Sequence, residues 1–314
     1  MSLSIGVDIG GTKIAAGVVS ERGEIVAQGA RETPATDPDL IVEAVVALVN
    51  ELRIDHEVNA VGIGAAGFID ANRSTVLFAP NINWVDEPLA KLVGDQVGAR
   101  VIVENDANAA AWGEFQFGAG EDVDDLLLVT VGTGIGGGLV HDGALYRGGF
   151  GIAAEIGHMR VVPGGIPCGC GQQGCWEQYG SGRALVRETM ARIHAGDRAA
   201  LVLRDRVAPD SGDVHGSVIT ELAQSGDALC IELLADVGRW LGEGIASLVA
   251  VLDPTVVAIG GGVAAAGPLI LEPARDAFER TLSAPDHRPH AELRLATLGN
   301  KAGLIGAADL ARKV

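Results

Sequence analysis

A chain of 314 residues with 48% hydrophobic and only 20% charged side chains is long enough for two hydrophobic cores and excludes an intrinsically disordered protein. A formal net charge of −18 excludes nucleic acid or an anionic membrane as the principal partner. Glycine supplies 45 residues, about twice the usual share of ~7%, so the backbone must turn sharply or approach a ligand closely in several places.

The opening MSLSIGVDIGG lacks the basic start and long apolar core of a signal peptide, and no apolar run reaches the ~18 residues of a membrane span. The expectation is a cytoplasmic, reducing location, where cysteines stay available as thiolates. Residues 3–9 (LSIGVDI) read as a buried strand. GGTK turns the chain into a second strand, IAAGVVS, and a Glu21-Arg22-Gly23 turn leads to a third, EIVAQGARE. Asp37-Pro38 opens a helix whose apolar positions Ile41, Val45, Leu48 and Leu52 keep helical spacing. Residues 58–64 form a strand ending in Ala65-Ala66-Gly67. Pro88 starts a short helix, residues 99–103 form a strand closed by Glu104-Asn105-Asp106, and NDANAAAWGEFQF follows as a helix.

The pattern then restarts. Residues 126–131 (LLLVTV) read as a strand, and GTGIGGGLV turns it back. Gly11-Thr12-Lys13-Ile14-Ala15-Ala16-Gly17-Val18-Val19 matches Gly132-Thr133-Gly134-Ile135-Gly136-Gly137-Gly138-Leu139-Val140 at five of nine positions, at a constant offset of 121. Each copy follows an apolar strand and precedes a glycine turn, which favours a duplicated unit over chance likeness between hairpins. Two such α/β units would aim two glycine-rich turns into one cleft, with rows of backbone N–H groups suited to phosphate oxygens. Farther on, 231–252 reads as a long helix containing buried core. Residues 255–259 (TVVAI) form a strand followed by Gly260-Gly261-Gly262, a third place for close approach by a flat or anionic ligand. Residues 302–312 form a last helix.

Between these elements lies EIGHMRVVPGGIPCGCGQQGCWE, residues 155–177. Cys168, Cys170 and Cys175, three of the four cysteines, fall within eight residues, and His158 stands ten residues before the first. Three thiolates and one imidazole complete a tetrahedral zinc set with no position left for water, so the expected role is structural. A disulfide framework would want an even count. Cys230 reads as helix core. Glu155 and Glu177 flank the staple, and a zinc-bound imidazole donates its other N–H to an outer partner, which a polyhydroxylated ligand would satisfy.

Phosphate cradles suggest a nucleotide. Asp8 ends an apolar strand beside the first loop, where the second copy has Val129. It reads as a magnesium partner acting through water, with a turn cap as the alternative. Thr12 and Thr133 offer hydroxyls to phosphate. Lys13 reads either as a charge clamp or as a solvated turn residue. Phosphoryl transfer to an alcohol needs a carboxylate to take the hydroxyl proton, and Asp106 is the candidate, with Asn105 beside it for sugar hydroxyls. The competing reading is an Asn-Asp N-cap of the helix.

Taken together, DIGGTK at 8–13, ENDANAA at 104–110, GTGIGGG at 132–138, EIGH at 155–158 and CGCGQQGCWE at 168–177 resemble the ROK family of sugar kinases and repressors, and within it the bacterial ATP-dependent glucokinases. The resemblance runs from residue 4 to about 311. It implies an actin-like ATPase (ribonuclease H-like) α/β fold with two duplicated domains around a central cleft. The small domain would take 1–108 plus 301–314, and the large domain 109–300 with the zinc loop. By the resemblance, Asp106 is the base for the glucose 6-hydroxyl, and Asn105, Glu155, His158 and Glu177, with Gly67 and Asn81, hold the other hydroxyls. Zinc falls on His158, Cys168, Cys170 and Cys175. ATP phosphates go to Gly10, Gly11, Thr12, Lys13, Thr133 and Gly134, and adenosine goes to Gly260, Gly261 and Gly262. A homodimer or homotetramer is implied.

The sequence admits three rival readings. A sugar-sensing repressor needs a DNA-binding segment before the kinase-like part, and a phosphate loop beginning at residue 8 leaves no room for one. A kinase for N-acetylmannosamine, N-acetylglucosamine, mannose, allose or fructose would keep every motif. Polyphosphate as donor would want an extra basic run along the cleft motifs, which the sequence does not show.

Overall fold

The computed structural model describes residues 2–34, 37–79, 82–209 and 211–313. In chain order the elements are β1 (Ser4–Ile9), β2 (Lys13–Val19), β3 (Ile25–Glu32), α1 (Pro38–Arg53), β4 (Ala60–Ala65), β5 (Phe68–Ile69), β6 (Val76–Ala79), β7 (Trp84–Glu87), α2 (Leu89–Val97), β8 (Arg100–Asn105) and α3 (Asp106–Phe117). They continue with β9 (Leu126–Val131), β10 (Ile135–His141), β11 (Ala144–Tyr146), α4 (Glu177–Gly180), α5 (Gly182–His194), α6 (Leu201–Arg204), α7 (Gly216–Gln224) and α8 (Ala228–Leu252). The chain ends with β12 (Val256–Gly260), α9 (Pro268–Thr281), β13 (Glu292–Leu295) and α10 (Ala302–Lys313). Every strand and helix expected from the sequence is present, with ends moved by a few residues. Asp37 caps α1 as its position before Pro38 required, accepting from the Asp39 N–H at 3.1 Å.

Two five-stranded sheets share one plan, β3-β2-β1-β4-β8 and β11-β10-β9-β12-β13. In the first, β1 pairs antiparallel with β2 and parallel with β4, and β4 pairs parallel with β8. In the second, β10 and β11 are antiparallel, and β12 and β13 parallel. Strands β1 and β4 are covered on both faces: Ile5, Val7, Val61 and Ile63 are fully buried on one, and Gly6 and Gly62 lie against Leu304 and Ala307 on the other. A third, antiparallel sheet, β5-β6-β7, was not expected from the sequence.

By its contacts the chain separates into two compact units. The first comprises Met1–Leu128, Gly138–Ala154 and Thr297–Val314, the second Val129–Gly137 and Glu155–Ala296. These boundaries differ from the expected division after residue 108, because α3 and the hairpin strand β11 stay with the first unit. Helix α3 is bound there to α10 and to the segment before it: the Trp112 indole N–H donates to Asp309 at 2.9 Å, and buried Glu114 accepts from the backbone N–H groups of Thr297 and Leu298. Helix α10 also lies directly on the sheet. A Cβ at Gly6 or at Gly62 would stand 1.9 Å from the carbonyl oxygen of Leu304 or Ala307, so only glycine lets helix and strands meet backbone to backbone.

In the second unit, α8 presents Leu233, Leu234, Val237, Leu241 and Ile245 to the core. Trp176 is fully buried against this helix, and its indole N–H donates to the Trp240 carbonyl at 2.8 Å. The segment that carries the cysteines is thereby anchored to the longest helix. Among the described residues no helix is long and apolar enough to cross a membrane.

Candidate active site

The parallel strands of the first sheet set its chemistry. The register places Asp8 beside Gly64 and Gly64 beside Glu104, with Ala65 beside Asn105. The carboxyl ends of β1, β4 and β8 therefore line up, the edge at which open α/β sheets bind ligands. Asp8 and Asp106 stand close enough to sense one another. Burial, and then the charge of Asp106, push the Asp8 carboxyl up to about 6. Burial also pushes Asp106 above the usual carboxylate range, while the Ala107 N–H and its own backbone N–H pull the other way. Two partly buried carboxylates, of which Asp106 raises Asp8 by its charge, form a site short of positive charge, which fits a divalent cation.

Asn105 satisfies one of the two readings that its sequence left open. Its side-chain oxygen accepts from the N–H groups of Ala107 (2.9 Å) and Asn108 (3.1 Å), the N-cap of α3. Its Nδ2 donates to the Gly67 carbonyl at 3.1 Å. Asp106 occupies the first helical position, and its Oδ1 accepts from Ala107 at 2.9 Å. Gly67 has a φ of +128°, and a side chain there would meet the Phe78 carbonyl. Asn81 lies outside the described residues.

The first glycine loop is braced by a residue that the sequence did not single out. Thr33 donates through its hydroxyl to the Gly10 carbonyl (2.7 Å) and through its N–H to the Thr12 carbonyl (3.1 Å), and Gly10 N–H closes the turn on Lys13 (3.0 Å). Gly11, Thr12 and Lys13 are exposed. The second loop is braced in the same sense. The N–H groups of Gly182 and Arg183, opening α5, donate to the carbonyls of Gly132 (2.8 Å) and Thr133 (3.3 Å). A trans peptide points its carbonyl and N–H in opposite directions. Pinning Gly10, Gly132 and Thr133 therefore turns the N–H groups of Gly11, Thr133 and Gly134 away from the brace, as an anion cradle requires. Gly261 sits against Val131 at the root of this loop with φ +84°, so the turn Gly260–Gly262 and the loop 132–134 form one neighbourhood.

In the same unit, the segment 159–176 folds back on itself through the bridges Arg160–Cys175 and Pro167–Gln173. His158 ends a single 3₁₀ turn, Ile156–His158, that follows exposed Glu155. The fold converges all four expected ligands: one ligand atom from each of His158, Cys168, Cys170 and Cys175 lies within 4.8 Å of the others. Cys168 Sγ is 3.7 Å from His158 Nδ1, and Cys170 Sγ is 3.6 Å from Cys175 Sγ. A tetrahedron with Zn–S bonds of about 2.3 Å has edges of roughly 3.8 Å, so the set fits a structural Zn²⁺. Glu177 is tied to this cluster. Its Oε1 accepts from the Cys168 thiol at 3.0 Å and lies 3.9 Å from His158 Nδ1. A Cβ on Gly134 would stand 2.4 Å from Glu177 Oε2. Glycine at 134 thus makes room for the Glu177 carboxylate beside the second loop.

A family model for the ROK family matches residues 4–314. The chain belongs to the ROK family. Among ROK relatives, the glucokinase of Streptomyces coelicolor is 50% identical over 313 residues, covering 100% of this chain and 98% of that protein. The crystal structure of a ROK family glucokinase from Streptomyces griseus in complex with glucose and AMPPNP superposes with a TM-score of 0.91 at 52% identity, over 100% of both chains. A ROK hexokinase from Thermus thermophilus matches with a TM-score of 0.78 at 36% identity, covering 99% of this chain and 98% of that one. The α/β fold of this ROK chain is accordingly the actin-like ATPase fold.

Proposed function

We propose that this protein is an ATP-dependent glucokinase that transfers the γ-phosphoryl group to the 6-hydroxyl of glucose, giving glucose 6-phosphate and ADP. The observation that carries this reading is the full-length likeness, at 52% identity, to a glucokinase crystallised with glucose and AMPPNP. The charge pattern supports it. A carboxylate whose affinity for protons is raised by burial is a competent acceptor for a hydroxyl proton, and Asp106 takes that role. Asn105, Gly67 and Asn81 hold sugar hydroxyls together with Glu155, His158 and Glu177. The braced amides of Gly11, Thr133 and Gly134, with Gly10, Thr12 and Lys13, hold the phosphates, and Gly260, Gly261 and Gly262 receive the adenosine. Asp8 orients a hydrated magnesium ion, which when bound neutralises charge on the phosphoryl group being transferred. Zinc on His158, Cys168, Cys170 and Cys175 stiffens the segment carrying His158 and Glu177. The enzyme works in the cytoplasm as an assembly of two or four copies, which light scattering on an eluting peak would count.

The test is a coupled ADP-release assay with ATP and magnesium across glucose, mannose, allose, fructose, N-acetylglucosamine and N-acetylmannosamine. Glucose turning over far faster than the rest supports the reading. Preference for an N-acetylated sugar replaces the substrate and keeps the machinery. No turnover with any sugar by zinc-loaded protein overturns the kinase reading. Polyphosphate replacing ATP as the better donor overturns the ATP part alone.

A further inference from the structure

One buried cluster in the first unit has no role in the reaction as described. Glu104, the residue before Asn105-Asp106, is 1% exposed and faces two arginines. Arg73 Nε donates to its Oε2 at 2.8 Å, and Arg147 Nε lies 2.8 Å from the same oxygen, an ion pair without hydrogen-bond alignment. The two guanidinium groups come from different parts of the chain. Arg73 sits in the turn between β5 and β6, whose own backbone is latched to β8 by the Val103 N–H on the Arg73 carbonyl (2.8 Å). That turn is stiff: the Asp70 carboxylate accepts from Ser74 and Thr75, which hold it below the usual carboxylate range against the opposing effect of burial. Arg147 follows β11 and donates to the carbonyls of Asp70 and Ala71, both at 2.9 Å. The other oxygen of Glu104 accepts from the Asn105 N–H (3.0 Å) and from Asn108 Nδ2 (3.2 Å).

We infer that Glu104, Arg73 and Arg147 are positioning residues that set the orientation of Asn105 and Asp106. A buried carboxylate shared by two cations is a weak source of stability, since apolar residues of similar volume serve as well. Its planar, directional partners instead fix geometry. Here they lock the cap and first turn of α3 to the β5–β6 turn, which the two-residue strand β5 joins to the Gly67 that Asn105 holds. This inference rests on the proposed reaction only for its kinetic consequence.

The test compares wild type, Arg147→Met, Arg147→Lys and, as a matched control, Arg312→Met, which removes a buried ion pair with Asp309 far from Asp106 in sequence. Arg147→Met is expected to lower kcat by about 100-fold, the scale of an ångström-sized misplacement, with the KM for ATP changed less than about twofold. Arg147→Lys, which restores charge but not both carbonyl bonds, is expected to recover part of that loss. Arg312→Met is expected to lower Tm without changing kcat per folded molecule. Amide hydrogen exchange read on the same proteins does not depend on turnover. Arg147→Met is expected to speed exchange at least tenfold at Ala107 and Asn108, with α1 unchanged. A kcat within twofold of wild type together with unchanged exchange at Ala107 and Asn108 overturns the inference. If wild type itself turns over no sugar, the kinase reading fails, and exchange alone decides this one.

Discussion

The loops at 10–13 and 132–134 are two copies of one backbone with different side chains around them. Both lead out of a buried strand, both have their carbonyls tied down by N–H or hydroxyl donors, and both belong to sheets of the same strand order. The first copy carries Asp8 next to the end of β1, within reach of the charge of Asp106 at the start of α3, whereas the second has Val129 in the place of Asp8 and Glu177 packed beside Gly134. The braced backbone, suited to an anion without regard to side chain, occurs twice. The side chains differ: Asp8 and Asp106 near the first copy, and near the second the Glu177 carboxylate held by the Cys168 thiol of the His158–cysteine cluster.

The sharpest way to break this division is to make the first copy resemble the second. Asp8→Val is expected to lower kcat by about 10²–10³, the scale seen when one electrostatic partner of a transition state is removed, while the protein still folds. Kinetics and thermal melts on the same sample check it, and a kcat within threefold of wild type would remove Asp8 from the magnesium site. Next in size, Cys170→Ala is expected to release zinc and weaken glucose affinity together, by about 10- to 100-fold. Metal content by mass spectrometry and glucose calorimetry read the two losses, and full sugar affinity in zinc-free protein would detach the wall from the metal. Gly134→Ala presses a methyl group on Glu177 Oε2 and is expected to raise the glucose KM about tenfold, close to 1.4 kcal/mol. Gly132→Ala meets nothing within 4 Å of its Cβ and is expected to leave the glucose KM unchanged. Equal effects from the two would remove Glu177 from the argument.

The smallest effect is on stability. Asp8 is raised to about 6 in the folded chain against an unfolded value near ~3.9. The folded state therefore holds the proton more tightly. Stability falls as pH rises from about 4 to about 6 and is flat above, so the ionised group destabilises the metal-free protein at neutral pH. Asp8→Asn is expected to raise the Tm of metal-free protein by a few degrees at pH 8 and to leave it unchanged near pH 4. A Tm gain of equal size at both pH values would show that charge is not the cause. Magnesium, by stabilising the carboxylate, is expected to shrink the difference.

Much of this was legible in the residues, for identifiable reasons. Strands buried on both faces write themselves as apolar runs, and the duplicated hairpin is readable as five identities in nine residues at a constant offset of 121. The zinc set was readable because ligand spacing is local, and its four members do converge. What escaped depends on contacts distant in sequence. Strand β5 is two residues long and too short to carry a period. Helix α9 holds Pro273 in its interior, which breaks the helical pattern. Thr33 and the amides of Gly182 and Arg183 act through backbone groups brought together by folding alone. Arg147 reaches Asp70, Ala71 and Glu104 across long sequence separations, which no local spacing marks. Asn105 carried two incompatible-looking roles in the sequence. The structure shows the cap, and one N–H of its amide beyond the bond to Gly67 is what remains for a ligand.

The most direct test of the divided site is to measure glucose binding and turnover side by side in wild type and Asp106→Ala, both zinc-loaded. The account expects glucose affinity within about threefold of wild type and a kcat lower by about 10³ or more, because the base is lost while the wall that holds the sugar stays. Near-normal turnover in Asp106→Ala would contradict it, and would move the chemistry away from the carboxylates Asp8 and Asp106.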